Sequence, residues 1–202
     1  DNLIEHIGLD SKQIDQFLVD TKPVTRWLSI EAATAKYEEP PPSSPKLVFR
    51  DIARNTDART CFATVLPERS CANNKLPIIR VSNDLVYSAC AVLNSLCFDY
   101  LLRFRVSSTI NFTHIGRVAV PRVADLQSIP LFETIRGGGT PLSDNQKYFP
   151  ALWSLNRAVA EAYGLNADEM GYILTSFPVF ARKHPEYYSF LLEQIKEWKA
   201  KS

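Results

Sequence analysis

An α+β fold, with a small sheet packed on a long helix and followed by a C-terminal helical subdomain, is predicted by three features of the sequence. Short runs rich in Val, Ile, Phe and Thr alternate with polar turns between residues 46 and 81, and a long helical periodicity follows at 84–105. The last third carries successive apolar stripes with helix-start and helix-stop residues between them. At 202 residues, 46% hydrophobic and 22% charged, the chain has a composition that buries a core without disulfides or metals.

Asp10 is placed to cap a helix over residues 10–20, on which Ile14, Phe17 and Leu18 share a face, and a second short helix is expected over 27–37. Glu38-Glu39-Pro40-Pro41-Pro42-Ser43-Ser44-Pro45 cannot continue it, because proline lacks the amide donor and restricts the residue before it. Residues 1–45 are therefore read as an N-terminal helical segment ending in a stiff linker. Residues 46–52, 60–66 and 76–81 are read as three strands.

Asn83 or Asp84 can cap the long helix 84–105, whose Val86, Ala89, Cys90, Leu93, Leu96, Cys97, Tyr100, Leu101 and Phe104 keep to one broad face. Ser107-Ser108-Thr109 ends it, and residues 110–115 lead to an extended Val118-Ala119-Val120-Pro121. Gly137-Gly138-Gly139 lacks the preceding strand and following Lys and Ser/Thr of a phosphate-binding loop, so it is read as a flexible join. The expected division is thus 1–45, a central domain at 46–136 and a helical subdomain at 137–202.

In that last part Leu152, Leu155, Val159 and Tyr163 form a stripe that Gly164 stops, and Asn166 with Glu169 opens the next helix as a capping box. That helix runs toward Phe177-Pro178, and a final one follows Pro185 with Tyr187, Leu191, Ile195 and Trp198 on one face.

Twenty-three Lys and Arg nearly balance twenty-two Asp and Glu, but the charges are segregated. Residues 1–45 carry four basic and eight acidic side chains, 137–202 carry seven of each, and 46–136 carry twelve basic against seven acidic. Ten of those twelve are arginine, the residue that grips phosphate and guanine bidentately, so the centre is where an anionic partner is expected.

No apolar run approaches the length of a membrane span and the first residues lack the pattern of a secretory signal, so a soluble, cytoplasmic protein without a membrane partner is expected. The chain opens on Asp1, which points to a piece of a longer polypeptide. Cys61, Cys71, Cys90 and Cys97 show no Cys-x-x-Cys spacing and are expected to be buried thiols, while His6, His114 and His184 stand too far apart for a metal-binding motif. Neither a Gly-x-Ser-x-Gly elbow nor a Gly-x-Gly-x-x-Gly fingerprint occurs. Pro185-Glu186 with Glu197-Trp198-Lys199 has the residue types of a metal-dependent nuclease, but both groups fall on one helix and are read as its solvated face.

The candidate for recognition is Arg50-Asp51-Ile52-Ala53-Arg54-Asn55-Thr56-Asp57-Ala58-Arg59-Thr60, a polar turn between two strands. Arginine reads guanine, asparagine reads adenine, and threonine and main-chain amides hold phosphate, which suits such a turn to duplex DNA.

That segment, with Leu93-Asn-Ser-Leu-Cys-Phe-Asp-Tyr-Leu-Leu-Arg103 and Val118-Ala-Val-Pro121 after it, resembles the specificity region of adenine-specific DNA methyltransferases of bacterial restriction-modification and phage-defence systems. Leu155-Asn-Arg-Ala-Val-Ala-Glu-Ala-Tyr-Gly164 and Tyr172-Ile-Leu-Thr-Ser-Phe-Pro178 resemble the helical end of the same region, so the likeness covers about residues 46–202. The Asn-Pro-Pro-Tyr or Phe motif and the glycine-containing turn for S-adenosylmethionine, which belong to the methylase half of that family, are lacking.

The resemblance implies a target-recognition domain with no catalytic residue, cofactor or metal of its own. Double-stranded DNA and a methyltransferase domain of the same or a partner chain are its expected partners, with S-adenosylmethionine bound by the parent enzyme. The expected DNA contacts are Arg50, Arg54, Asn55, Thr56 and Arg59 at a first turn, Arg69, Asn73, Asn74 and Lys75 at a second, and Ser107, Ser108 and Thr109 at the helix exit. Leu93, Phe98, Tyr100 and Leu101 are assigned to packing, and Asn94 to either a polar core or a cap. The alternative is a protein-interaction module that docks a methylase or nuclease subunit through its helical third.

Overall fold

The computed structural model describes residues 6–9, 11–20, 27–36, 44–122 and 142–202, and its architecture is α+β. The N-terminal part is mostly extended where helix is expected. Strand β1 (His6–Leu9) leads through a 3-10 turn (Ser11–Gln13) into the hairpin β2 (Ile14–Asp15) and β3 (Leu18–Val19). Helical spacing of Ile14, Phe17 and Leu18 is a correct sign of burial and a wrong sign of helix. The hairpin sends the same three side chains into the core, with Phe17 in the left-handed region at φ 63° and its amide donating to the Ala63 carbonyl at 3.0 Å. Strand β4 (Trp27–Leu28) then pairs with β1, and helix α1 is confined to Ile30–Lys36, where Ser29 Oγ accepts from the Ala32 amide.

Strand β5 (Lys46–Phe49) is buried along its whole length, flanked antiparallel by β6 (Ala63–Leu66) and β8 (Ile78–Ile79). Its run Leu47-Val48-Phe49 is continuously apolar because both faces are covered. Leu47 and Phe49 join the main core, and Val48 packs with Leu9, Ile14, Leu66, Ala72 and Leu76 on the other face. The unforeseen strand β7 (Ser70–Ala72) pairs in parallel with β1, with Ile7 opposite Ser70 and Leu9 opposite Ala72. Residues before the proline-rich segment thus supply a layer of the same structure, and 38–43 of that segment lie outside the described residues.

The expected helix 84–105 is two helices, α2 (Val86–Asn94) and α3 (Leu96–Arg103), because Ser95 between them is extended at φ −70°, ψ 154°. Its hydroxyl donates to the Val92 carbonyl and accepts from the Phe98 amide, so one side chain closes the first helix and caps the second. The Leu96 amide donates to Asn156 Oδ1 of a later helix, which makes the break a tertiary feature.

Beyond the helix exit, α4 (Phe112–Gly116), started by a reciprocal Asn111–His114 capping box, occupies the lead-in to the expected extended stretch. No strand forms at 118–121. The join Gly137-Gly138-Gly139 lies outside the described residues.

The last third is helical as expected: α5 (Phe149–Ala162), α6 (Ala167–Thr175), a short α7 (Pro178–Lys183) and α8 (Pro185–Lys201). Gly164 follows α5 at φ 75°, a conformation that costs glycine little, and the Asn166–Glu169 capping box opens α6. Pro150, Pro178 and Pro185 occupy first turns, where the missing amide has no partner to lose. Among the described residues, no helix is long and apolar enough to cross a membrane.

Candidate nucleic-acid interface

Three segments far apart in sequence meet at Asp51 and Ile52. The Asp51 amide donates to the Lys75 carbonyl at 3.3 Å, and its carboxylate pairs with Lys75 Nζ at 3.1 Å. The Asp51 carbonyl accepts from the Ile110 amide at 2.7 Å, and Ile52 bridges Thr109 antiparallel. The first turn, the end of the second turn and the helix exit are therefore one contiguous edge, held by main-chain bonds that leave the side chains of Arg54, Asn55, Thr56, Asn74, Ser107, Ser108 and Thr109 exposed. Lys75 is also exposed but shares its charge with Asp51.

Local bonds stiffen that edge. Asp57 Oδ2 accepts from the Arg54 amide at 3.1 Å and the Asp57 amide donates to the Arg54 carbonyl, which folds residues 54–57 back on themselves. Asn73 Oδ1 accepts from the Lys75 amide at 2.8 Å while the Asn73 amide donates to Leu9, so this half-buried asparagine shapes the second turn. Arg103 Nη2 donates to the Asp57 carbonyl and Nη1 to the Ser176 carbonyl, tying the first turn to the end of α6.

The remaining expected contacts lie elsewhere. Arg69 is exposed, in the left-handed region at φ 59°, just beyond Leu66, which pairs with Lys46 at the end of β5 remote from Asp51. Arg50 is half-buried: Nε donates to the Ser11 carbonyl, Nη2 to that of Ile14, and its guanidinium lies 4.6 Å from the Phe62 ring centre. Arg59 is 6% exposed, with Nε on Asp99 Oδ2 at 2.8 Å, Nη1 on Gln16 Oε1 at 3.2 Å and Nη2 on the Asn94 carbonyl at 2.6 Å. Neither Arg50 nor Arg59 belongs to the exposed edge.

Asp99 organises the interior behind that edge. It is fully buried and accepts from Arg59 and from the Thr60 and Cys61 amides, with Arg103 Nε 3.8 Å away. Asn94 completes the network: Oδ1 accepts from the Ala63 amide, and Nδ2 donates to the Ala63 and Cys90 carbonyls. All four cysteines are buried and none is in a disulfide, as expected.

On the other side of the first turn a cleft of about 390 Å³ opens between Asp15, Arg50, Asp57, Phe62, Lys183 and His184. Burial pushes the Asp15 carboxyl up, opposed by the amide of Gln16 and the charge of Arg50. His184 Nδ1 meets both Asp144 Oδ1 and, at 3.4 Å, Ser143 Oγ. A hydrolytic triad needs serine and carboxylate on opposite ring nitrogens, so these three residues do not form one. Glu186 accepts from Gln146, Lys199 pairs with Asp168, and Lys201 lies 3.7 Å from Glu197, so the nuclease-like residues are an ordinary helix surface. Among the described residues, no cluster of His, Cys, Asp and Glu can hold a metal ion.

Residues that sequence reasoning missed are Arg103, Lys183 and His184. Arg103 stands in the helix motif but shows its role only through Asp57, and Lys183 and His184 reach the cleft only because α7 folds back toward the first turn. No protein-family model matches the chain, and no curated protein matches it.

Proposed function

We propose that this chain reads DNA sequence as the target-recognition part of an N6-adenine DNA methyltransferase of a restriction-modification or phage-defence system, without catalysis of its own. The observation that carries the reading is the convergence at Asp51 and Ile52. Arg54, Asn55, Thr56, Asn74 and Ser107–Thr109, drawn from three parts of the chain, share one braced and exposed edge. Such an edge combines base-reading side chains with hydroxyl groups for phosphate. S-adenosylmethionine and the transfer of its methyl group belong, in this reading, to a methyltransferase domain of the same or a partner chain.

Binding to duplex DNA across a salt series tests the proposal. Affinity is expected to fall log-linearly with salt, the slope reporting the phosphates neutralised. Absence of DNA affinity at low salt overturns it.

A second reading, docking of a methylase or nuclease subunit, is favoured by one feature. Phe104 and Tyr172 are each 68% exposed and both pack edge-on against Tyr100, an aromatic cluster at the ends of α3 and α6. That reading expects partner binding that is lost in Phe104→Ala and Tyr172→Ala.

A further inference from the structure

We infer that the cleft beside the first turn is a binding site for a single nucleotide unit, either free or unpaired within a strand. The assignment of a strand as the source rests on the DNA-reading proposal; the site itself does not. A cavity of about 390 Å³ lies in the size range of small-ligand sites and is too small for a duplex.

Its chemistry is divided in the way a nucleotide is divided. Arg50 spends Nε and Nη2 on two neutral carbonyls and makes no ion pair among the described residues, acting on Asp15 only at longer range. Lys183, on another wall, is exposed and also has no ion pair among the described residues. These are the cations for a phosphate. Asp15 and Asp57 present carboxylate acceptors to the same cleft, which suit the exocyclic amine of adenine or cytosine and not the carbonyl of thymine. The Arg50 guanidinium covers one face of the Phe62 ring, and the pair lines the cleft with a flat guanidinium plane backed by an apolar wall, a surface on which a base can stack. Ile52, Asp57 and Ala58 belong to the first turn and also line the cleft, so a strand lying on Arg54–Thr56 runs past its mouth.

The test has two arms on the 202-residue chain, with paired duplex as the control. In one, deoxyadenosine monophosphate is titrated against thymidine monophosphate and inorganic phosphate; in the other, a duplex with one unpaired adenine is compared with the fully paired duplex. The expected results are saturable binding of the adenine nucleotide in preference to both competitors, and about tenfold tighter binding of the bulged duplex, which is spared the cost of unstacking. Ser143→Phe, which fills the cleft, and Lys183→Ala are each expected to reduce both preferences severalfold.

Nucleotide binding without bulge preference assigns the site to free nucleotides, and bulge preference alone assigns it to a strand. Loss of both preferences, or preferences that neither variant changes, overturns the site. If paired duplex still binds in a salt-dependent way, that failure leaves the DNA-reading proposal standing; if it does not, both are overturned.

Discussion

Arg59 and Asp99, forty residues apart in sequence, meet at 2.8 Å with side chains 7% and 0% exposed, and this pair joins the first turn to helix α3. Truncating either partner strands the other as a buried charge. Asp99→Ala also deprives the Thr60 and Cys61 amides of their acceptor. Each single substitution is expected to cost about 3–5 kcal/mol. Urea denaturation of Asp99→Ala and Arg59→Ala measures the loss, and a cost below about 1 kcal/mol would show that the pair is not needed for folding.

The exposed turn should behave in the opposite manner. Arg54→Ala and Asn55→Ala are expected to leave stability within about 0.5 kcal/mol of the parent. They should weaken binding to the preferred site by about 1–3 kcal/mol while relaxing choice at one base pair. Competition binding against every single-base-pair variant of that site separates the cases. A loss that is uniform across sequences reassigns the residue to phosphate contact.

Burial governs the four thiols. It pushes the Cys97 thiol up to about 12, and it raises the Cys61 and Cys90 thiols in the same direction. The folded chain is expected to release essentially no colour rapidly with a thiol-disulfide reagent and to titrate four equivalents once unfolded. Rapid reaction of Cys90 or Cys97 in the native state would contradict the packing of α2 and α3 described above, and rapid reaction of Cys61 or Cys71 would contradict their burial beside β6 and in β7.

Asp15 makes stability depend on pH. Burial raises its folded pKa above the unfolded value, with Asp144 acting in the same direction and the Gln16 amide, Arg50 and His184 opposing. Between those two values the folded chain holds a proton that the unfolded chain has released, so this group's contribution to stability declines as pH rises. Asp15→Asn keeps an oxygen for the Gln16 amide and has nothing to ionise. The variant is expected to gain on the parent between acid pH and neutrality, as measured by parallel denaturation series. A constant difference would show that Asp15 ionises as freely in the fold as outside it.

Fold class and the C-terminal helices were legible in the sequence because their signals are local. A capping box spans four residues, Gly164 stops a helix through its own φ, and an apolar stripe repeats every turn. Local signals misled where distant partners decide. The spacing of Ile14, Phe17 and Leu18 fits a helix face, yet a hairpin is favoured because its turn can bond Ala63 at the start of β6 through the Phe17 amide. Ser95 sits within an unbroken helical pattern, yet the chain turns there because its hydroxyl and Asn156 satisfy the freed main-chain groups.

The candidate interface divides along the same line. By itself the sequence determined which turns are polar and rich in arginine and asparagine, since residue type and turn propensity are properties of short segments. Only the tertiary structure decided which of those arginines face outward. Arg59 and Arg54 are five residues apart in one motif, but Arg59 reaches Asp99 on α3 and is removed from solvent, while Arg54 finds no such acceptor for its side chain among the described residues. Burial of a charge depends on a partner brought from elsewhere in the chain, and the cross-chain bonds at Asp51 that assemble three turns into one edge depend on the same long-range pairing.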